Sequence, residues 1–335
     1  MRQLNNPLIS VVLTGRNDNY GGDFKARLGY CINCLCSQLS NLDFCSEIIF
    51  VNYNPLPQPP INKFINWQKS TAKIKIRIIT VPADVHETFV TTKKLKNVPL
   101  LEYVGKNVGI RRAQGIYILC INPDIVFPDN FFSDLIQLLN NDSYIRTDRI
   151  DFKKFEYGKP SGIERIHLKG HSFDLTQNSF FSIVLIRLKA MIMNAWRKQT
   201  INLESIFDLL RLKVYYDNIG YYYHLNASGD FMLMHRNYWF GLKGYYEQAG
   251  ISLHKDSLMV VQAANLGLKE VCFKLPVYHC EHERRYDAQT NMPEFINEYQ
   301  FLQKEAEKMK ATKQAIIYND DNWGAAKFTL DEIVL

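Results

Sequence analysis

This sequence predicts an α/β fold, a mostly parallel central sheet flanked by helices, on three observations. Short apolar or β-branched runs alternate along the first half of the chain with segments whose apolar residues recur every three to four positions. Several of those runs end in polar residues, as strands do when they feed a crevice at one edge of a sheet. With 335 residues, 47% of them hydrophobic and 22% charged, the chain can also bury a core of substantial size.

Taken in order, residues 8–14 (LISVVLT) form the first strand, followed by the polar loop GRNDNYGG. Phe24, Leu28, Cys31, Leu35 and Leu39 then keep helical spacing, with Asp23 placed as the N-cap. Residues 47–54 (EIIFVNYN) read as a second buried strand. Residues 73–81 (KIKIRIITV), with alternating charge, read as a third, half exposed and near an edge. Helical spacing over 102–114 stops at Gly115, where a C-cap glycine belongs. IYILCI (116–121) is the fourth strand, and 128–140 the helix after it. Strand alternating with helix implies right-handed crossovers. Ligands bind such sheets beyond the C-terminal strand ends, so Thr14 to Arg16, Asn52 to Asn54 and Asn122 to Asp124 are expected to converge on one crevice.

Between 141 and 225 the alternation lapses. YIRTDRIDF has strand character, and FFSIVLIRLKAMIMNAWRK (180–198) is an apolar helix with Arg187, Asn194 and Lys198 along one side. A basic amphipathic helix of this kind either packs against its own domain or lies at a membrane surface as a peripheral contact. GDFMLMHRNYWFGLKGYYE (229–247) reads as strand, turn and short helix, HKDSLMVVQAANLG (254–267) as a helix, and EVCFKLPVYH as the last strand. The final fifty residues are charged and read as helical.

A formal charge of +6 and a pI near 8.8 suit an anionic partner such as a nucleotide. The excess is spread along the chain, so no nucleic acid partner is expected. The N-terminal apolar run is too short for a signal segment, and no uncharged stretch approaches the ~20 residues that cross a bilayer. The expectation is a cytoplasmic protein. Seven cysteines, mostly within apolar stretches, suit reduced thiols. Cys31, Cys34 and Cys36 lack a second ligand pair at zinc-finger spacing and read as buried small hydrophobes.

Chemistry is concentrated in three places. In GIYILCINPDIVFPDNFF (115–132) a buried strand ends in Asn122, Pro123 and Asp124. A carboxylate at a strand end, with a polar group two residues before it, holds a divalent cation or makes an ordinary turn. Asp256 opens a helix, as a base or as an N-cap. His279 and His282 end the last strand, where an imidazole serves as metal ligand or as a structural group.

Three separated segments give the chain its resemblance to the GT-A glycosyltransferases, most similar to family 2 of inverting, nucleotide-sugar-dependent enzymes. The stretch KNVGIRRAQGIYILCINPDIVF resembles that family's approach to its Asp-x-Asp. Asn107, Gly109, Ala113 and Gly115 fall in place, and Asn122 and Asp124 occupy the two acidic positions. Gly229, Met232, Leu233, Arg236, Trp239, Leu242, Gly244 and Glu247 match the strand and turn before the catalytic helix. HKDSLMVVQAANLG resembles the Glu-Asp-x-Asp-Leu helix start, with Lys255 and Leu258 in place of two acids. The motif of processive polysaccharide synthases is absent.

The resemblance implies a GT-A domain over 1–285, comprising a nucleotide-binding half (1–140), a variable insertion (141–225) and an acceptor half (226–285), with a C-terminal helical extension (286–335). It implies transfer of a sugar from a nucleoside diphosphate donor to a glycan or other hydroxyl acceptor, with inversion. Asp256 is then the general base and Asp230 faces the donor sugar. Asp124 holds Mn2+ or Mg2+ with His279 or His282, His279 ranking first, and Asn122 lies beside the diphosphate. Thr14, Gly15, Arg16, Asn52, Asn54 and Asn107 line the donor site; Asn52 stands where an acid is usual. Arg111, Arg284 and Arg285 reach the phosphates or face solvent. Two rival readings are a sugar-phosphate nucleotidyltransferase, against which Asp23 at a helix N-terminus argues by repelling phosphate, and a catalytically silent carbohydrate-binding module.

Overall fold

The computed structural model describes residues 6–91, 93–152, 228–248, 254–280, 282 and 293–335. The expected helix at 180–198, most of the 141–225 region, Arg284 and Arg285 lie outside the described residues.

Among the described residues nine strands form one sheet. In chain order they are β1 (Ile9–Gly15), β2 (Ser46–Tyr53), β3 (Ile74–Val81), β4 (Tyr117–Ile121), β5 (Ile125–Val126), β6 (Ser143–Phe152), β7 (Phe231–His235), β8 (Lys269–Cys280) and β9 (Glu332–Val334). Their order across the sheet is β5-β8-β6-β7-β4-β1-β2-β3-β9. β4, β1, β2 and β3 are parallel neighbours. β7 runs antiparallel between β4 and β6, which returns β6 and β8 to the direction of β1. The sheet is therefore mostly parallel, with β5, β7 and β9 reversed.

The helices are α1 (Phe24–Ser40), α2 (Ile61–Phe64), α3 (Ala83–Phe89), α4 (Glu102–Arg112), α5 (Phe131–Leu135), α6 (Arg236–Gly241), α7 (Lys255–Asn265) and α8 (Pro293–Thr312). α1 lays Leu28, Cys31, Ile32, Leu35 and Leu39 on one face of the sheet, against Val11, Leu13, Ile48 and Phe50. Burial pushes the thiols of α1 up, Cys34 to about 11 and Cys36 to about 12. They stay protonated, as packed hydrophobes rather than metal ligands do. On the other face Val104 and Val108 of α4, Trp239 of α6 and Met259, Val260 and Ala263 of α7 meet Val12, Ile49, Val51 and Met232.

The contact of α4 with the sheet is unusually close. A methyl group at Gly109 would stand 2.5 Å from Val12 Cγ1, and one at Gly105 2.4 Å from Thr14 Oγ1. Glycine at these two positions lets the helix backbone settle onto β1 and β2, and it carries Lys106 and Asn107, both fully buried, into the protein.

Several expectations are corrected. Asp23 does precede α1, but in a left-handed conformation (φ 49°) with no hydrogen bond from its side chain to the helix end. Gly115 is not a C-cap; Ala113 is, in an extended conformation, and a side chain at Gly115 would meet Ser10 N at 2.6 Å. Gly267 (φ 93°) does close α7, its N–H bonded to the Ala264 carbonyl. Where one helix was expected over 128–140, the chain forms the short α5 and one 3-10 turn.

β3 lies near the edge of the sheet, as expected, but is largely buried rather than half exposed, because β9 pairs outside it. Arg77 explains this. Its guanidinium bonds Glu47 Oε2 at 2.9 Å and both carboxylate oxygens of Glu332 at 2.7 and 2.8 Å, so the alternating charge of β3 ties the C-terminal segment down. The last fifty residues are consequently not all helical.

Gly109→Ala tests the close contact. Alanine favours a helix interior by ~1 kcal/mol over glycine, but overpacking against Val12 is expected to outweigh this and lower stability by roughly 1–3 kcal/mol. The measurement is chemical denaturation; a more stable variant would show that the helix is not held as described.

Candidate active site and metal centre

Strand direction assembles the site. β1, β2, β4, β6 and β8 end at the same edge of the sheet, and β7, running the other way, begins there. Both α4 and α7 start at this edge, since each leads into the N-terminal end of the strand that follows it. Their unpaired N–H groups favour negative charge at that edge.

Asp124, His279 and His282 meet at one side of it. One ligand atom from each lies within 4.8 Å of the others. The cause is local: Ile125 pairs with His279 across β5 and β8, which sets Asp124 beside the imidazole. Asp124 Oδ2 is 3.7 Å from His279 Nε2 and 3.1 Å from His282 Nε2. Its Oδ1 is buried and has no hydrogen-bond partner among the described residues. His279 donates from Nδ1 to Asp151 Oδ1 at 2.7 Å, which leaves Nε2 with a free lone pair facing Asp124. Tyr20 covers His282 edge-on at 5.1 Å.

An orphaned carboxylate oxygen and an imidazole nitrogen oriented by a second carboxylate are what a divalent cation needs. The residues therefore fit the cation that the sequence reading assigned to Asp124 and a histidine. Both histidines reach the cluster, where the sequence reading left the choice open. Burial alone would raise the Asp124 carboxyl; the His282 hydrogen bond and the charges of His279, His282 and Arg27 outweigh it and hold Asp124 at about 2. Burial lowers His279, but the hydrogen bond to Asp151 and the Asp124 and Asp230 charges override it, with Arg149 opposing, and the net shift is upward.

A chain of hydrogen bonds leads from this cluster to the other wall. Asp151 pairs with Arg149 (3.1 Å), and Arg149 Nη1 with Asp230 Oδ2 (2.6 Å). Asp230 Oδ1 accepts from Asn122 Nδ2 (2.7 Å), and Asn122 Oδ1 accepts from Lys106 Nζ (2.6 Å). Lys106 also donates to Glu102 Oε1 (2.7 Å) and to the Gly229 carbonyl (2.8 Å). The Gly229 N–H in turn donates to Asp256 Oδ2 at 2.7 Å. A side chain at Gly229 would meet the Tyr103 hydroxyl at 2.7 Å.

Asn122 thus has a physical reason to be an amide. It accepts from an ammonium on one side and donates to a carboxylate on the other, which an Asp at that position could not do. Asp230 is buried and bonded on both oxygens. Asp256, in the first turn of α7, is half-buried and also accepts from the Ser257 N–H (2.8 Å); the helix N-cap is His254.

The remaining residues named from sequence divide. Thr14, Gly15, Arg16, Asn52 and Asn54 sit together at the ends of β1 and β2. Arg16 Nε donates to the Asn54 carbonyl (2.6 Å), Thr14 Oγ1 to the Val51 carbonyl (3.0 Å), and Asn54 Nδ2 to Pro99 O (3.0 Å). Asn52 Oδ1 is buried without a hydrogen-bond partner among the described residues. Asn107 faces elsewhere: its amide donates to Tyr245 O and Glu247 Oε1 and accepts from Tyr245 N, fixing the 244–247 turn. Arg111 lies at the far end of α4, 5.0 Å over the Trp323 ring and bonded to its carbonyl. Lys106, Glu102, Arg149 and Asp151 were not foreseen; a lysine and an acid four apart on a helix read as a solvated pair.

No protein-family model and no curated protein matches the chain. Solved structures similar to it include S. aureus TarS 1-349 in complex with UDP-GlcNAc, at 10% identity and TM-score 0.42, over 84% of this chain and 60% of that one. A second is the mannosyltransferase PcManGT from Pyrobaculum calidifontis in complex with GDP-Man and Mn2+, at 10% identity and TM-score 0.38, over 93% and 66%. A longer S. aureus TarS structure is similar at 10% identity and TM-score 0.46, over 91% of this chain and 42% of that one. The chain thus spans 60% of the TarS 1-349 structure and less of the longer one. No helix among the described residues is long and apolar enough to cross a membrane.

The His279 shift has a sign. A proton held above the ordinary imidazole value must leave before Nε2 binds a cation, so Mn2+ affinity is expected to rise with pH through and above ~6.5. Without metal, the stability contributed by the protonated ring is present below that value and lost as pH rises through the elevated one. Calorimetric Mn2+ titrations from pH 6 to 8 check this (roughly the span around ~6.5), and a pH-independent affinity would contradict it.

Proposed function

We propose that the chain is a GT-A type glycosyltransferase, of the inverting family 2 kind, that moves a sugar from a nucleoside diphosphate donor to a hydroxyl acceptor such as a glycan. The observation that carries this reading is the arrangement at one sheet edge. A buried carboxylate with two imidazoles forms one wall, and the carboxylate of Asp256 is joined to it through Asp230, Asn122, Lys106 and Gly229. Lys106, Asn122, Asp124, Gly229, Asp230 and Asp256 come from the three stretches that carry the resemblance to such enzymes, and the two histidines from the end of the strand that follows them and just beyond it.

Asp256 takes the proton of the acceptor hydroxyl. The hydroxyl oxygen forms its bond to the anomeric carbon while the bond from that carbon to the diphosphate oxygen breaks, and the electron pair leaves with the nucleoside diphosphate. Backbone N–H groups already hold both Asp256 oxygens, so the carboxylate needs no reorientation as it takes the proton. Asp124, His279 and His282 hold the cation, which offsets the charge that builds on the departing diphosphate. One carboxylate and two imidazoles suit Mn2+ better than Mg2+, which prefers an all-oxygen octahedral shell. Thr14, Gly15, Arg16, Asn52 and Asn54, at the ends of the two neighbouring strands, take the nucleoside.

The test is a screen of nucleotide sugars for transfer or hydrolysis with Mn2+, repeated on Asp256→Asn and Asp124→Ala. Asp256→Asn is expected to lower kcat by roughly 10²–10⁴-fold while leaving Mn2+ binding intact, and Asp124→Ala to abolish both. Full turnover in either folded variant would remove the proposed chemistry.

A further inference from the structure

One fully buried charge at the site is not used by the proposed reaction. Lys106 is fully buried. Its ammonium has three protons and meets three acceptors: Glu102 Oε1 at 2.7 Å, Asn122 Oδ1 at 2.6 Å and the Gly229 carbonyl at 2.8 Å. A buried ammonium is tolerated only when paired and saturated in this way. Each acceptor belongs to a different chain segment: the start of α4, the turn after β4 and the turn before β7.

Two of those contacts control carboxylates that the reaction needs. Asn122 can present either its oxygen or its NH2 group to Lys106. The ammonium accepts only the oxygen, so the NH2 group must face Asp230 Oδ1, where it donates at 2.7 Å. Gly229 is held through both of its backbone polar groups: its carbonyl accepts from Lys106, and its N–H donates to Asp256 Oδ2. The same ammonium therefore fixes the Gly229–Asp230 turn, and through it the positions of both Asp230 and Asp256.

Building on the transferase reading above, we propose that Lys106 is a positioning residue for the transfer step, setting Asp230 and Asp256 in register while touching neither substrate nor the cation cluster. Asp124, His279 and His282 make no hydrogen bond to Lys106: Asn122, Asp230, Arg149 and Asp151 stand between them, and Arg149 keeps its own bonds to Asp151 and Asp230 when the ammonium is gone. Removing the ammonium is thus expected to disturb the base and leave the cation site in place.

The experiment is steady-state kinetics on Lys106→Met, with Mn2+ binding measured separately by electron paramagnetic resonance and folding by circular dichroism. The expected result is a fall in kcat of about 100-fold, as for a catalytic group displaced by ~1 Å, with unchanged KM for the nucleotide sugar and unchanged Mn2+ affinity. Glu102→Leu with Lys106→Met removes both charges from the core together, a replacement that folded proteins tolerate; it is expected to fold and show the same split. Wild-type kcat in either folded variant overturns the proposal. So does a loss in which KM and Mn2+ affinity worsen in step with kcat, because that marks general loosening of the site. Should Asp256→Asn and Asp124→Ala leave turnover intact, the transferase reading fails; should they abolish it while the Lys106 variants do not, only the role of Lys106 fails.

Discussion

Val12 and Thr14 of β1 touch the backbone of α4 at Gly109 and Gly105, so this helix lies on the sheet at a distance that any side chain at those positions would forbid. Much of the molecule follows from that contact. A helix set so low carries its next residues, Lys106 and Asn107, below the surface, where each must find partners within the protein. Lys106 finds them in the turns after β4 and before β7. Asn107 finds them in the 244–247 turn, whose Glu247 also accepts from Gly324 N and so ties in the C-terminal segment. Two adjacent residues on one helix thereby fix the strand-end turns on one side and the return of the chain's end on the other.

The functional edge is a problem in placing negative charge. Asp124, Asp151, Asp230, Glu102 and Asp256 all stand at or near the ends of the strands, and like charges this close would raise one another's pKa values and loosen the fold. Other groups separate them: the His279 imidazole between Asp124 and Asp151, the Arg149 guanidinium between Asp151 and Asp230, and the Lys106 ammonium beside Glu102. Asn122 continues the alternation without adding charge, donating to the acid on one side and accepting from the base on the other. Departure from an acidic residue at that position is thus balanced within the chain, because Lys106 needs an acceptor and Asp230 needs a donor.

Strands β1, β2 and β4 and helix α1 were readable because each is a simple period: apolar runs in the strands and a three-to-four spacing in the helix; α2 and α3, of four and seven residues, are too short to show one. Asp124, Asp256 and the two histidines stood out as candidates because each interrupts such a period at the start or end of an element. The reversal of β7 left no comparable mark, since FMLMH has the same composition whichever way it runs. β9 was invisible for a related reason. Three residues carry no period, and their place is set by Arg77 and Glu332, 255 positions apart in the chain. Lys106 was missed because helical spacing gives the face of a residue but not the depth to which the helix sinks, and here two glycines set that depth. Asn107 was legible as a position and not as a role: its amide braces a turn.

The proposed chemistry requires that Asp124, His279 and His282 close around one cation at the sheet edge where α7 and its Asp256 also begin. Anomalous scattering at the manganese edge, from crystals grown with Mn2+ and a nucleoside diphosphate, tests this most directly. A single strong peak within bonding distance of Asp124 and both imidazole Nε2 atoms, with the diphosphate oxygens on its open side, is the predicted result. A peak bound elsewhere, with the two imidazoles turned away from Asp124, would contradict it.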